Sequence, residues 1–189
     1  MGIVVLVVVL VLLLLWMVSA YNRLVSLKNQ VVNAWKQIDV QLKRRHDLIP
    51  NLVNTVKGAL EFERGTLEAV IAARARAVQA SGVRATATAE AELSQALGRL
   101  FAVAEAYPEL RATGNVSELQ EELTSTENRI GFARQLYNDV ATQYNTAQST
   151  FPTLLVAGMA KAKPAELWEI EDDRERAVPA VDLSLNRPT

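Results

Sequence analysis

IVVLVVVLVLLLLWMV, residues 3–18, is followed by no charged side chain until Arg23. A helix rises ~1.5 Å per residue and the hydrocarbon core of a bilayer is ~30 Å thick, so roughly 20 such residues make one crossing. The stretch therefore predicts a transmembrane anchor over residues 1–22, with the lipid bilayer as its first partner. A cleavable signal peptide is the competing reading, because Val18-Ser19-Ala20 offers small or modest side chains at a possible cleavage site. The absence of Lys or Arg ahead of the run, and its length, favour an uncleaved anchor. Trp16 and Tyr21 bracket the end of the span, where amphipathic rings prefer the headgroup layer, and Arg23 opens the polar side of that interface. Arg23, Lys28 and Lys36 all follow the span, so the positive-inside rule predicts N-terminus out and domain in the cytoplasm.

Working outward, the apolar residues Leu24, Leu27, Val31, Ala34, Trp35, Ile38, Leu42 and Ile49 keep to one face at helical spacing. No Gly or Pro falls between Gly2 and Pro50, so the membrane helix is expected to run on into the domain. Beyond Pro50 the stripe resumes with Leu52, Val53, Val56 and Leu60, then Leu67, Val70 and Ile71. Pro50 is therefore read as a kink in one helix of about residues 23–80 that stops at Ser81-Gly82. A second helix, about 88–106, carries Leu93, Ala96, Leu100 and Val103 and closes at Tyr107-Pro108. A third, about 117–149, opens on the capping-box pattern Ser117-Glu118-Leu119-Gln120 and closes at Phe151-Pro152. The expected fold class is all-α: an N-terminal transmembrane helix continuing into an antiparallel bundle of long helices, with the bundle domain at 23–152. Residues 153–189 hold a short apolar segment, 154–159, expected to pack on the bundle or on a neighbour through residues such as Leu155. An acidic tail with Pro164, Pro179 and Pro188 follows, and in it Trp168 is expected to dock because of its large apolar surface.

Composition excludes several functions. A net charge of −1 leaves no broad positive surface for phosphates, so nucleic acid is not an expected partner. With no cysteine, thiolate metal sites, disulfides and thiol catalysis are impossible. His46 is the single histidine, so neither a histidine-built zinc site nor a di-iron site with repeated Glu-x-x-His forms within one chain. No catalytic residue, metal site or cofactor is expected.

Lys43-Arg44-Arg45-His46-Asp47 is the densest basic cluster. Anionic headgroups are a poor fit, because on a straight helix Lys43 stands roughly 30 Å beyond the bilayer edge, against a Debye length of about 8 Å. Two other readings stand. One is a charged face with Asp39, Lys43 and Asp47 as i,i+4 partners; the other is pairing with Glu121, Glu122 and Glu127 on another helix or subunit. His46 beside Asp47 suggests an acid–base pair on paper, but neighbours on a helix point ~100° apart. Tyr137-Asn138 and Tyr144-Asn145 recur at seven residues, which places both pairs on one face. The tyrosines are expected at the core edge and the asparagines are expected to fix register by interhelical hydrogen bonds, with a ligand groove as the alternative. Trp35 and Pro50 complete the set of packing candidates.

The run from Ala34-Trp35-Lys36-Gln37-Ile38-Asp39 through Arg44-Arg45-His46-Asp47-Leu48-Ile49-Pro50-Asn51-Leu52-Val53 resembles the signature of the LemA family of bacterial membrane proteins. The likeness continues in Thr55-Val56-Lys57-Gly58, Glu105-Ala106-Tyr107-Pro108-Glu109-Leu110, Leu119-Gln120-Glu121-Glu122-Leu123, Glu127-Asn128-Arg129-Ile130, Tyr137-Asn138-Asp139, Tyr144-Asn145 and Phe151-Pro152. The resemblance implies a single-pass protein of a bacterial cell membrane, a bundle of long helices and no established enzymatic activity. A magnetosome-membrane relative implies a part in organising membrane. Two departures stand out: Phe62-Glu63 replaces an expected His-Glu, and Leu167-Trp168-Glu169 replaces two aromatics before the acid. The function expected is a membrane-anchored scaffold or adaptor, self-associating as a homo-oligomer or holding a protein partner. The alternatives are a subunit of a membrane enzyme with a carboxylate site at Asp39 or Glu127, and a periplasmic binding module.

Overall fold

The computed structural model describes residues 1–57, 63–107 and 114–169. Its described residues form helices and no strands: α1 Gly2–Val56, α2 Arg64–Gln79, α3 Val83–Glu105, α4 Gly114–Ser149 and α5 Thr153–Met159. The all-α class and the long apolar first helix are as predicted.

α1 forms because its first third is Val and Leu without a breaker, and its remainder keeps an unbroken stripe. Residues 3–18 are exposed on every side, as a membrane-spanning helix is when lipid is its only neighbour. From Ala20 onward α1 pairs with α4 in an antiparallel stem. Leu24 and Leu27 meet Tyr144 near the membrane end, and Ala34, Ile38 and Leu42 meet Ile130, Ala133, Tyr137 and Ala141 in the middle. Ile49, Leu52 and Val56 meet Val116 and Leu123 at the far end. Each such Leu, Ile or Val contributes about 1.5–3 kcal/mol by leaving water, so the stripe carries most of the stem's stability. The α2–α3 hairpin covers the far half of the stem through Leu67, Val70, Leu93, Leu97 and Leu100. Its tight turn depends on Gly82, whose φ of +86° suits a residue without a Cβ. α5 covers the near half through Val156 and Ala157.

Pro50 does not divide the helix as a kink within residues 23–80. α1 passes through it and stops at Val56, and α2 starts afresh at Arg64. The apolar stripe is continuous across this point because both helices turn the same kind of face to one core, so periodicity alone does not reveal the break. Pro50 has a different consequence: lacking an N–H, it leaves the carbonyl of His46 without its in-helix donor. Arg74 Nε from α2 donates to that carbonyl at 2.7 Å. The other helices begin earlier than expected. α3 starts at Val83, and α4 starts at Gly114, which puts Ser117 inside the first turn rather than at a cap. In the 154–159 segment Val156 and Ala157 are buried while Leu154, Leu155 and Met159 face out, so Leu155 makes no core contact. Gly58, Phe62, the 108–113 connection with Pro108, and the acidic tail from residue 170 with Pro179 and Pro188 lie outside the described residues.

Candidate functional site

Arg45 falls between Leu42 and Ile49 on the buried stripe of α1 and is only 2% exposed. Its guanidinium pairs with Glu90 of α3 and Glu127 of α4. It also donates to Ser94 Oγ at 3.0 Å and to the Glu90 carbonyl at 3.4 Å. The second carboxylate oxygen of Glu90 lies 2.7 Å from His46 Nε2. One cation thus joins three helices, with Glu127 at the half-exposed rim and Glu90 fully inside. Arg44 reaches Glu122 at 2.6 Å on the outside, where solvent screens the pair. Burial pulls the Arg45 guanidinium below its usual range, and Glu127 opposes that pull. Burial, then the charges of Arg45 and Arg74, push the His46 imidazole down to about 4, against weaker support from Asp47 and Asp39. At neutral pH the imidazole is therefore uncharged, and its Nε2–H donates to Glu90.

Beside this network opens a cleft of about 480 Å³ whose walls include Asp39, Lys43, His46, Asp47, Arg74 and Glu90. Among the described residues no three His, Cys, Asp or Glu side chains gather closely enough to hold a metal ion.

Nearer the apolar end of the stem, the segment from residue 163 runs extended along α4 and turns at Trp168, where the Glu169 N–H reaches the Leu167 carbonyl at 3.1 Å. Asn145 accepts from the Ala165 N–H at 2.8 Å and donates to the Ala165 carbonyl at 2.9 Å. Asn138 treats Trp168 in the same way, accepting its N–H at 2.8 Å and donating to its carbonyl at 3.0 Å. Between them Tyr137 Oη donates to the Glu166 carbonyl at 2.7 Å. Burial, with Glu166 close by, pushes the Tyr137 phenol up, which keeps it a donor. Gln148, buried, holds Asn145 Oδ1 at 3.0 Å. Trp168 is 4% exposed, packed against Trp35 with ring centroids 5.9 Å apart and under the Arg134 guanidinium at 5.4 Å; Trp35 in turn meets Tyr137 edge to face at 5.5 Å.

The basic cluster thus pairs with carboxylates across helices, through Glu122 and Glu127. Glu121 is exposed and outside those pairs, and among the described residues no ion pair joins Lys43 to Asp39 or Asp47. The asparagines do not bridge helices; they clamp the backbone of the extended segment, because each sits one position, ~100° round the helix, past a tyrosine that packs against α1. Tyr144 is buried against α1 and α5. Trp16, Tyr21 and Arg23 lie on α1 where its exposed apolar run gives way to the buried stripe that begins at Ala20 and Leu24. Glu90 and Arg74 were not singled out from the sequence; Trp168 was expected to dock and is buried, but the clamp on the backbone around it was not foreseen. Glu90 left one signal, a carboxylate three residues before Leu93 on an apolar stripe; the clamp left only the seven-residue repeat of Asn.

Fold and site together define an anchored helical bundle: one membrane-spanning helix prolonged into an antiparallel stem, locked by a buried ion network and bound by its own extended segment. The chain belongs to the LemA family, whose model matches residues 34–183. It is 24% identical over 175 residues to magnetosome protein MamQ 2 of Paramagnetospirillum magneticum, covering 79% of this chain and 64% of the relative. It is 28% identical over 144 residues to protein LemA of Metamycoplasma hominis, covering 74% of this chain and 64% of that one. The match to MamQ of Magnetospirillum gryphiswaldense is 23% identical over 174 residues, with 78% and 64% covered. The chain thus matches 64% of the length of these relatives.

Proposed function

We propose that this membrane-associated helical protein is a scaffold: α1 fixes the bundle at a set height above the bilayer, and the bundle presents a surface on which copies of the chain associate. The observation that carries the reading is an open groove on the outer side of the stem, where Val40, Phe132 and Leu136 lie exposed between Lys36 and Arg129. Phe132 is 74% exposed, and a cluster of this kind on a domain this small marks an interaction surface. The unbroken α1 gives the surface a fixed height, roughly 20–30 Å above the membrane edge at 1.5 Å per residue. The basic flank Arg23, Lys28 and Lys36 supports a cytoplasmic bundle. The magnetosome relatives support a setting in organised membranes.

Crosslinking in intact membranes followed by mass spectrometry tests the reading, with Lys36 expected in links between copies. Protein that stays strictly monomeric in detergent across a wide concentration range overturns it. A reporter fused to the C-terminus reads sidedness, and activity on the outer side overturns the cytoplasmic assignment.

A further inference from the structure

The clamp on residues 163–169 is built as a peptide-binding site, not as ordinary bundle packing. Each asparagine uses both ends of its amide on both polar groups of a single backbone residue, at 2.8 and 2.9 Å for Asn145 and at 2.8 and 3.0 Å for Asn138. Their seven-residue spacing is ~10.5 Å along a helix. Ala165 to Trp168 is three residues of extended chain, ~10 Å. The two repeats coincide, so the helix reads an extended backbone in register, and the indole in the pocket of Trp35, Tyr137 and Arg134 supplies the side-chain choice.

We infer that this groove is a recognition site for an extended peptide and that its occupant between copies is the same segment, residues 162–169, of a second copy of this chain. The inference rests on the self-association proposed above: exchange of this segment joins the copies, and the exposed groove of Val40, Phe132 and Leu136 packs once they are joined. Four observations select this occupant. The segment seated in the groove shows that this sequence satisfies it, and every copy carries both halves. α1 runs without a break from the membrane past Trp35, so groove and segment of neighbouring copies stand at one height, which raises their effective concentration. The segment leaves α5 through Lys161, whose φ of +48° is a left-handed conformation disfavoured for a residue with a side chain. Finally, the buried Trp168 Nε1–H has no hydrogen-bond acceptor among the described residues, so no described hydrogen bond of the indole is lost on exchange. Straightened, residues 160–163 span roughly 13 Å, against a helix width of ~10 Å. Exchange between copies then keeps the five clamp hydrogen bonds of residues 165–168 and gives up only those of the hinge, Lys161 N–H to Gly158 and Ala162 N–H to Ala157.

The test uses two full-length variants. The groove variant, Asn138→Ala with Asn145→Ala, loses the clamps but keeps its segment. The segment variant, Trp168→Ala with Ala165→Pro, loses the anchor and the N–H that Asn145 accepts, but keeps its groove. Co-expressed with different tags and extracted in mild detergent, the two are expected to copurify, while neither copurifies with itself. If the groove variant associates with itself as the unaltered protein does, exchange is overturned and the scaffold reading stands on another surface. If the unaltered protein does not associate at all, both fall. Failure of the mixed pair to copurify while the unaltered protein does also overturns exchange.

A second measurement is independent of assembly. A labelled peptide of residues 161–169, KAKPAELWE, is expected to bind the segment variant, with helical content checked by circular dichroism. Adding Asn138→Ala is expected to weaken binding about tenfold, the loss of two hydrogen bonds. Equal binding by a scrambled peptide, or no binding by the folded segment variant, overturns the inference.

Discussion

Arg45 is a cation placed where hydrophobic residues flank it on the same helix face, and its partners decide whether the core tolerates it. Removing one partner of a buried pair costs about 3–5 kcal/mol, because a charge is left in low dielectric without its counterion. Glu90→Gln is therefore expected to destabilise the bundle by that order, read as a lower unfolding midpoint by circular dichroism. Replacing both members, Arg45→Met with Glu90→Leu, is expected to cost far less than either single change, since hydrophobic isosteres restore the packing. His46 adds a pH dependence whose sign follows from its depressed value. The unfolded imidazole takes up a proton near 6.5, the folded one only at about 4. As the pH falls through that window the unfolded chain binds the proton first, so stability is full above about 6.5, declines towards about 4 and levels below. The expected loss is on the order of 2 kcal/mol after allowance for the partial exposure of the ring. His46→Gln should flatten this slope, because the Gln amide still donates to Glu90 and does not titrate. An unchanged slope in unfolding curves from pH 7 to pH 4 would assign the effect to other groups.

α1 illustrates how a proline inside a helix serves a neighbour. The His46 carbonyl lacks its in-helix donor because of Pro50, and Arg74 fills the vacancy from α2 at 2.7 Å. Arg74→Met is expected to cost about 1–3 kcal/mol through the orphaned carbonyl. In a Pro50→Ala background the same substitution should cost markedly less, because the backbone N–H that alanine restores at this position returns to that carbonyl. A double-mutant cycle in thermal or denaturant unfolding measures the coupling, and additive costs would show that Arg74 acts elsewhere. The extended segment makes a comparable point. Its position is held by the groove and not by its own propensity, so Trp168→Ala should remove about 3–5 kcal/mol of packing. Loss of the segment's protection from protease, with α1 and α4 still resistant, is the expected readout.

For the molecule as an assembly of anchor and bundle, α1 is the axis to which everything is referred. Arginine at both Leu10 and Leu12 sets roughly 5–7 kcal/mol against insertion, at about 2.5–3.5 kcal/mol for each charge in mid-span. The double variant is expected to leave the membrane fraction while retaining bundle helicity, since residues 3–18 touch no part of the core. Cofractionation of the variant with membranes would mean that the bundle itself binds lipid or a membrane partner. Sidedness and self-association belong to the same assembly, and the topology reporter and the paired variants described above examine them.

How far the amino-acid order reaches is visible in these particular groups. The apolar span, the continuous α1, the all-helical class and the stem stripe Leu24, Ile38, Leu42, Ile49 were readable because burial and lipid exposure act on side chains at a local period of 3.6. The pairing of the basic cluster with Glu122 and Glu127 was readable as one of two options, because opposite charges on different helices attract wherever the fold brings them together. The break at Val56 was not readable, since two helices facing one core keep the same stripe. Glu90 as the central acceptor, Arg74 on the carbonyl freed by Pro50, and Asn138 and Asn145 on the backbone of residues 165 and 168 were decided only in three dimensions. Each joins residues 20 or more positions apart, and no local pattern records which distant backbone group lies opposite a side chain until the helices have packed.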